Sequence, residues 1–370
     1  MDADVETFDF GRPAARGAWA RCLSHLPEGE AGEEEFTTMA RALFAWQFEH
    51  CEPYRRLAEA RGVTPARLAD WRDIPAVPQR LFKEMRLFSH EGRAPGRVFH
   101  TSGTTTGTPG KQHLLDDRIY RQTALTGAQA AGLWDEDHPV PELQILAPPP
   151  REAAHSSLSA MFEYWCEAAL EAERRESAFW VRGERLMLHG LRERLEVLAA
   201  EGRPVGVCGA AFSLVHYLDA YSTLDPVPLP PGSWLLETGG FKGRSRELPK
   251  DEFYQALRYL FDLPEDALWN EYGMTELSSQ AYARGVHGRH TAPPWARVLV
   301  IDPETEREVE PGQPGLVRWI DLANVDSVLA LQTLDQAVRH EEGFSLMGRL
   351  PQADPRGCSL AADDYKPETR

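Results

Sequence analysis

Between Pro141 and Gly273 six segments follow one another: PELQILAP, HSSLSAMFEYWCEAALEAE, RPVGVCGAAF, GSWLLETGG, PKDEFYQALRYLF and DALWNEYG. Short apolar runs bounded by Pro and Gly alternate with longer stretches of helical period. That alternation predicts a mainly parallel α/β sheet with helices on both faces, because parallel strands need crossover connections and are buried on both sides. Upstream, residues 35 to 60 read as helix, since Phe36, Met39, Ala40, Leu43, Phe44, Phe48 and Tyr54 recur near the 3.6 period. RLFKEMRLF, after Pro75 and Pro78, reads as another short helix. Downstream the style changes: ARVLVIDPETEREVEPGQPGLVRWIDL reads as two strands around a turn-rich segment, predicting a short antiparallel β section. No internal repeat or low-complexity linker interrupts the chain.

One loop stands out for chemistry. TSGTTTGTPGK, from Thr101 to Lys111, holds three glycines, five threonines and a serine, and ends in one of the chain's five lysines. It is not a Walker A loop, because Thr105 stands where the first glycine belongs and Gln112 follows Lys111. The chemistry is of that kind all the same: glycines let backbone N–H groups point into a nest, hydroxyls add donors, and a lysine adds compact charge, all suited to phosphate oxygens. By themselves these residues leave a solvated Gly/Thr turn open as the alternative.

Charge and cysteine usage narrow the function classes. A net charge of −17 argues against a sequence-independent grip on nucleic acid or on an anionic membrane, both of which depend on clustered basic charge. The start, MDADVETFDFG, is acidic where a secretory leader is basic, and no run of about 18 apolar residues appears, so a cytoplasmic protein with no membrane insertion is expected. Five cysteines, Cys22, Cys51, Cys166, Cys208 and Cys358, lack CxxC spacing, which suggests reduced thiols rather than a disulfide framework or a zinc site. His287 and His290, in HGRH, bring no third ligand with them and read as a loop.

Taken with the Thr/Ser/Gly loop, ETGGFKGR (237–244) and NEYGMTELSSQ (270–280) resemble the adenylate-forming superfamily of acyl-CoA synthetases, peptide-synthetase adenylation domains and firefly-type luciferases. The resemblance implies that Thr101, Ser102, Gly103, Thr104, Thr105, Thr106, Gly107 and Lys111 hold the phosphates of ATP. Gly239 and Gly240 would lie against adenine, and Glu271, Tyr272, Gly273 and Met274 over the nucleotide. It places Thr275 on the α-phosphate and Glu276 on Mg²⁺, a role that suits a hard carboxylate oxygen. Asp335, closing LQTLD, matches the acid that binds both ribose hydroxyls, and Arg349 in MGRL matches a Gly-Arg near the interdomain hinge. The implied fold is the large α/β portion of such an enzyme, residues 1–345, with a tail, 346–370, in place of the usual small domain and its catalytic lysine. Lys366, the one lysine after Arg349, lacks that lysine's surrounding motif.

The tail, GRLPQADPRGCSLAADD, sets Cys358 beside Arg356, which favours the thiolate. With HSSLSAMFEY, ETGGFKGRSRELP and EYGMTELSSQ, this tail is similar to the acyl-protein synthetases of bacterial bioluminescence, the long-chain fatty acid luciferin-component ligases. That likeness implies ATP-dependent activation of a fatty or otherwise hydrophobic acid to acyl-AMP. Transfer to Cys358 as a thioester would follow, for delivery to an acyl reductase or another acceptor protein. Two alternatives stay open: direct transfer from acyl-AMP to CoA, a carrier protein or an amine, and a nucleotide-binding partner subunit without catalysis. His155 is a further candidate for hydrogen bonding to the substrate carboxylate or the adenylate, with a helix-start role for the HSS cluster equally open. Met161, Phe162, Trp165, Gly209, Ala210 and Phe212 fall where the superfamily lines its acid site; the aromatics read first as core.

Overall fold

The computed structural model describes residues 8–27, 29–101, 108–170, 175–239, 245–350 and 366–367. The chain opens with α1 (Pro13–Ser24), α2 (Gly29–His50) and α3 (Glu52–Ala60). The single helix expected over 35–60 is therefore two. Cys51 leaves helical geometry as the N-cap of α3, and Pro53 sits in that helix's first turn, where a missing N–H costs nothing. After β1 (Val77–Pro78), RLFKEMRLF contributes only one turn, α4 (Leu81–Glu84). A hairpin, β2 (Arg97–His100) and β3 (Lys111–Leu114), then frames the Thr/Ser/Gly loop.

The alternating segments build the predicted sheet. α5 (Arg118–Ala131), β4 (Glu142–Leu146) and α6 (Ser157–Ala169) are followed by a small hairpin, β5 (Val181–Arg182) and β6 (Arg185–Leu186). Then come α7 (Leu188–Ala200), β7 (Val205–Ala210), α8 (Ala211–Tyr221), β8 (Trp234–Thr238), α9 (Lys250–Phe261) and β9 (Leu268–Tyr272). β4, β7, β8 and β9 pair in parallel, and β10 (Ala281–Arg284) closes the edge antiparallel to β9. Every residue of β7 and β8 is buried. Val207 and Leu235 face a core with α7, α8 and α9, while Cys208 and Leu236 face α5 and α6, as the two-residue period of a doubly covered strand requires.

The antiparallel section is larger than the sequence suggests. β11 (Ala296–Ile301), β12 (Pro314–Asp321) and β13 (Ala330–Arg339) pair in order, and β13 also carries β14 (Phe344–Arg349) and, in parallel, β1. The pairings with β1 and β14 join segments that no local pattern links. The three N-terminal helices pack on this sheet in a core with Trp19, Phe36, Phe44, Trp71 and Trp319. β14 runs past residue 345, so that strand belongs to the sheet, and a short β15 (Lys366–Pro367) pairs in parallel with β6. Among the described residues no helix is long and apolar enough to cross a membrane.

Candidate active site

Thr101 is the last described residue before the phosphate-type loop, and it is buried. Its N–H donates to the Gly110 carbonyl at 2.9 Å, and its hydroxyl accepts from the Gly110 N–H at 2.7 Å. These two bonds close the base of the loop on the hairpin. Lys111 opens β3 and is exposed. Ser102, Gly103, Thr104, Thr105, Thr106 and Gly107 lie outside the described residues. Gln112, which displaces the hydroxyl residue of a Walker A loop, is buried and donates to Asn324 Oδ1 at 2.7 Å.

The EYGMTELSSQ segment crosses to that hairpin from β9. Asp321, at the end of β12, pins it by accepting from the Ser278 N–H at 3.0 Å and the Ser279 hydroxyl at 2.7 Å. Asn324 donates to the Glu276 carbonyl at 2.9 Å. So held, Thr275 is buried with its hydroxyl donating to the His100 carbonyl at 3.3 Å, beside the mouth of the loop. Glu276 is buried as well: one carboxyl oxygen accepts from Gln79 Nε2 at 3.1 Å, and the other has no hydrogen-bond partner among the described residues. Burial pushes this carboxyl up to about 7, against the lowering effect of its hydrogen bonds.

From Glu276 a continuous polar chain runs into the antiparallel sheet. Gln79 also accepts from Arg349 Nη2 at 2.5 Å; Arg349 Nε lies 3.0 Å from Asp335 Oδ1; and Tyr272 donates to Asp335 Oδ2 at 2.8 Å. Asp335 and Arg349 are directly opposite each other in the β13–β14 register. Glu271 is buried and accepts from the Thr238 hydroxyl, and Gly273 leaves it room, since a Cβ there would come within 2.2 Å of Glu271 Oε1. Met274 is buried, its sulfur 3.7 Å from Gln79 Nε2.

Beside this chain opens a cavity of about 460 Å³ lined by Glu237, Gly239, Tyr254, Asn270, His290 and Leu346, among others. Gly239 has φ +69° at the end of β8, a conformation that favours glycine; Gly240 lies outside the described residues. Glu237 accepts from Tyr254 at 3.0 Å and from the Asn270 amide, leaving its second oxygen unpartnered among the described residues, and burial raises it to about 7. His290 bonds Asn270 Oδ1 through Nε2 at 2.5 Å, and burial depresses it to about 3. His290 is thus a buried member of the cavity wall and not part of a plain surface loop; His287 is the exposed one.

His155 is exposed just ahead of α6, whose N-cap is Ser156, accepting from the Ser159 N–H at 3.1 Å. The helix-start role therefore falls to Ser156, which leaves the His155 ring free to lie against His100. The two rings stack with centroids 4.0 Å apart and planes 6° apart. Met161, Phe162 and Trp165 are core residues. Cys358 lies outside the described residues. Of the other cysteines, Cys51, Cys166 and Cys208 are buried, and burial pushes their thiols up, Cys166 to about 12. Cys22 is only half-buried.

Sequence reasoning missed Gln79, Asn270, Glu237, His290 and His100. Asn270 and Glu237 open the NEYGMTELSSQ and ETGGFKGR motifs and His100 directly precedes the Thr/Ser/Gly loop, so adjacency to a motif is the usable signal; Gln79 is joined to the site only by tertiary contacts.

A doubly covered parallel sheet joined to an antiparallel sheet, with motif residues gathered where they meet, defines the fold of adenylate-forming enzymes. Among solved structures, 2-hydroxyisobutyryl-CoA ligase in an open conformation with 2-HIB-AMP and CoA matches with a TM-score of 0.62, covering 89% of this chain and 75% of that chain at 16% identity. The same ligase in its postadenylation state matches at a TM-score of 0.63 and 17% identity, covering 89% of this chain and 70% of that one. Within that class the chain belongs to the acyl-protein synthetase family, LuxE, whose sequence model matches residues 30–364. It is 23% identical over 336 residues to the long-chain-fatty-acid–luciferin-component ligase of Vibrio harveyi, covering 87% of this chain and 86% of that protein. The ligase of the same name from Aliivibrio fischeri matches at 23% over 341 residues. The chain is accordingly an enzyme, an acyl-activating ligase.

Proposed function

We propose that this acyl-protein synthetase activates a long-chain fatty acid with ATP and loads the acyl group on Cys358. The relatives' names carry the fatty-acid class, and the acyl-AMP in the structural neighbour is the intermediate expected of the fold. One observation carries the reading: Glu276, Arg349, Asp335 and Tyr272 are joined through Gln79 in one polar chain, and Thr275, next to Glu276 in sequence, bonds the His100 carbonyl beside the loop base at Thr101.

In the first step a carboxylate oxygen of the acid attacks the α-phosphorus of ATP, and the bond to pyrophosphate breaks. The loop from Thr101 to Gly107 and Lys111 offset charge on the phosphates, Thr275 meets the α-phosphate, and Asp335 accepts from the ribose hydroxyls. Adenine lies in the cavity beside Gly239, with Glu271, Tyr272, Gly273 and Met274 along the nucleotide. Glu276 is the residue to hold Mg²⁺: a buried carboxyl with one unpartnered oxygen suits a hard cation that takes one or two protein carboxylates alongside phosphates. When bound, the cation supplies charge stabilisation on the phosphates. In the second step the Cys358 sulfur, losing its proton, attacks the acyl carbon and AMP leaves. An acyl reductase or another acceptor protein then takes the acyl group, and the chemistry belongs in a cytoplasm that supplies ATP and keeps thiols reduced. The adenylating portion, expected over residues 1–345, takes in the rest of β14 as far as Arg349, and the segment beyond that strand, with Cys358, serves as the carrier.

Intact-protein mass spectrometry with Mg²⁺, ATP and a panel of carboxylic acids tests this on wild type and Cys358→Ser. The expected result is a gain of one acyl group, cleaved by neutral hydroxylamine and absent from the variant. Pyrophosphate release without an adduct would mean that the acyl group passes directly to another acceptor.

A further inference from the structure

The ring of His155 is held in a defined protonation pattern. Its Nδ1 lies 2.9 Å from the Val98 carbonyl oxygen. A carbonyl can only accept, so Nδ1 carries the hydrogen. In the neutral ring Nε2 then bears a lone pair and no proton. A neutral His155 in this orientation cannot donate from Nε2 to a substrate carboxylate; it can accept a proton there.

Three contacts tie His155 to the segment that bears Thr275. The His100 N–H donates to the His155 carbonyl at 2.9 Å, the two imidazoles stack face to face, and the His100 carbonyl accepts from Thr275. His155 is an exposed residue. Among the described residues, His155 and Lys111 act electrostatically on His100, and His100, Lys111 and Arg86 act on His113 of β3. Burial, His155 and Lys111 all hold His100 below the usual imidazole range, which keeps it a neutral ring face. A neutral aromatic face is a favourable neighbour for an imidazolium.

We infer that His155 is the general base of the acyl-transfer step, accepting the proton of the attacking thiol at Nε2, and that His100 is its positioning residue. This rests on the function proposed above. The thiol S–H bond breaks, its proton passes to Nε2, sulfur bonds to the acyl carbon, and the acyl C–O bond to AMP breaks with the electron pair leaving on the phosphate oxygen. No oxidant or reductant enters.

The test separates the two half-reactions. Adenylation is read as pyrophosphate release with Mg²⁺, ATP and acid. Transfer is read from preformed acyl-adenylate, both to the chain's own thiol and, in Cys358→Ser, to added N-acetylcysteamine. His155→Asn keeps an N–H for the Val98 carbonyl and removes the atom at Nε2. It should slow transfer at least about 100-fold more than adenylation at pH 7, the usual span of general-base catalysis. The deficit should shrink as pH rises toward the thiol pKa or when a thiol of low pKa is supplied, because a preformed thiolate needs no base. His100→Phe should keep the stack and the transfer rate within a few-fold, whereas His100→Ala should lose about tenfold. Equal slowing of both half-reactions by His155→Asn, or a deficit indifferent to thiol pKa, would overturn the assignment. A wild type that releases no pyrophosphate with any acid would overturn the adenylation reading itself. Loss confined to the self-acylation arm would still support the assignment, with the base acting on Cys358 and not on free thiols.

Discussion

In the parallel sheet motif residues sit beyond strand ends: Gly239 follows β8, and Gly273, with the residues assigned to phosphate and metal, Thr275 and Glu276, follows β9. In the antiparallel sheet Asp335 and Arg349 sit inside β13 and β14, paired across the ladder. The first arrangement delivers chemistry on loops, where backbone groups and side chains are free to face a ligand, as open α/β sheets do at their carboxyl ends. The second delivers it by register, where a slip of one residue turns a side chain to the opposite face. A loop motif tolerates changes in the sheet beneath it, and a register-borne pair does not.

The contrast is sharpest at Arg349, which links the two sheets through Gln79. Arg349→Ala removes the cation from Asp335 and the donor from the Gln79 amide oxygen, and pyrophosphate release should fall by about 10²- to 10³-fold, the scale of losing one electrostatic partner in a site. A loss under about tenfold would mean that the register-borne pair is structural.

Glu276 gives the next effect, through pH. Its carboxyl is raised from 4.5 to about 7 by burial, so the neutral form is favoured in the folded protein. The associated stability is complete below about 4.5 and is lost as pH rises through about 7. Glu276→Gln mimics the neutral form. Without nucleotide the variant should therefore gain stability on wild type between pH 5 and pH 8, by on the order of 3 kcal/mol. Mg²⁺ with ATP should reverse the order by stabilising only wild type. Parallel melting curves at the two pH values would dismiss the buried-carboxyl account.

A smaller change probes the loop side. Gly273→Ala drives a Cβ to within 2.2 Å of Glu271 Oε1, displacing a buried carboxylate that Thr238 holds. A destabilisation of about 1 to 3 kcal/mol in a denaturant titration is expected. The smallest effect should come from Gln79→Met, which removes the hydrogen bonds to Glu276 and Arg349 from a half-buried position and should cost about 1 to 2 kcal/mol. If its effect on pyrophosphate release matched that of Arg349→Ala, Gln79 would belong to the catalytic machinery and not to its support.

Legibility in the sequence follows the same division. β7 and β8 are short runs, largely apolar and bounded by Gly and Pro, and their full burial and parallel pairing follow from that. The β9 motif lies in one contiguous segment, so its residues can be named from the linear chain. The helix break at Cys51 is present in the sequence as Pro53, and the apolar period across it masks the signal. The five-stranded sheet around β13, antiparallel but for β1, reads locally as two strands, because the partners of β13 include β1, a segment near residue 77, which no local period can reveal.

The residues that bear phosphate-type chemistry, the order of strands and helices, and membership of a family of acyl-protein synthetases are all contained in the linear chain, because short motifs and hydrophobic periods are local. Tertiary structure alone decided that Arg349 meets Gln79, 270 residues away, and that Thr275 reaches the carbonyl of His100, 175 residues away. It also decided that Glu276 titrates near neutrality and that the His155 Nδ1 hydrogen is committed to the Val98 carbonyl. Desolvation and hydrogen-bond partnership are properties of what surrounds a group, and those surroundings are assembled from segments that only folding brings together.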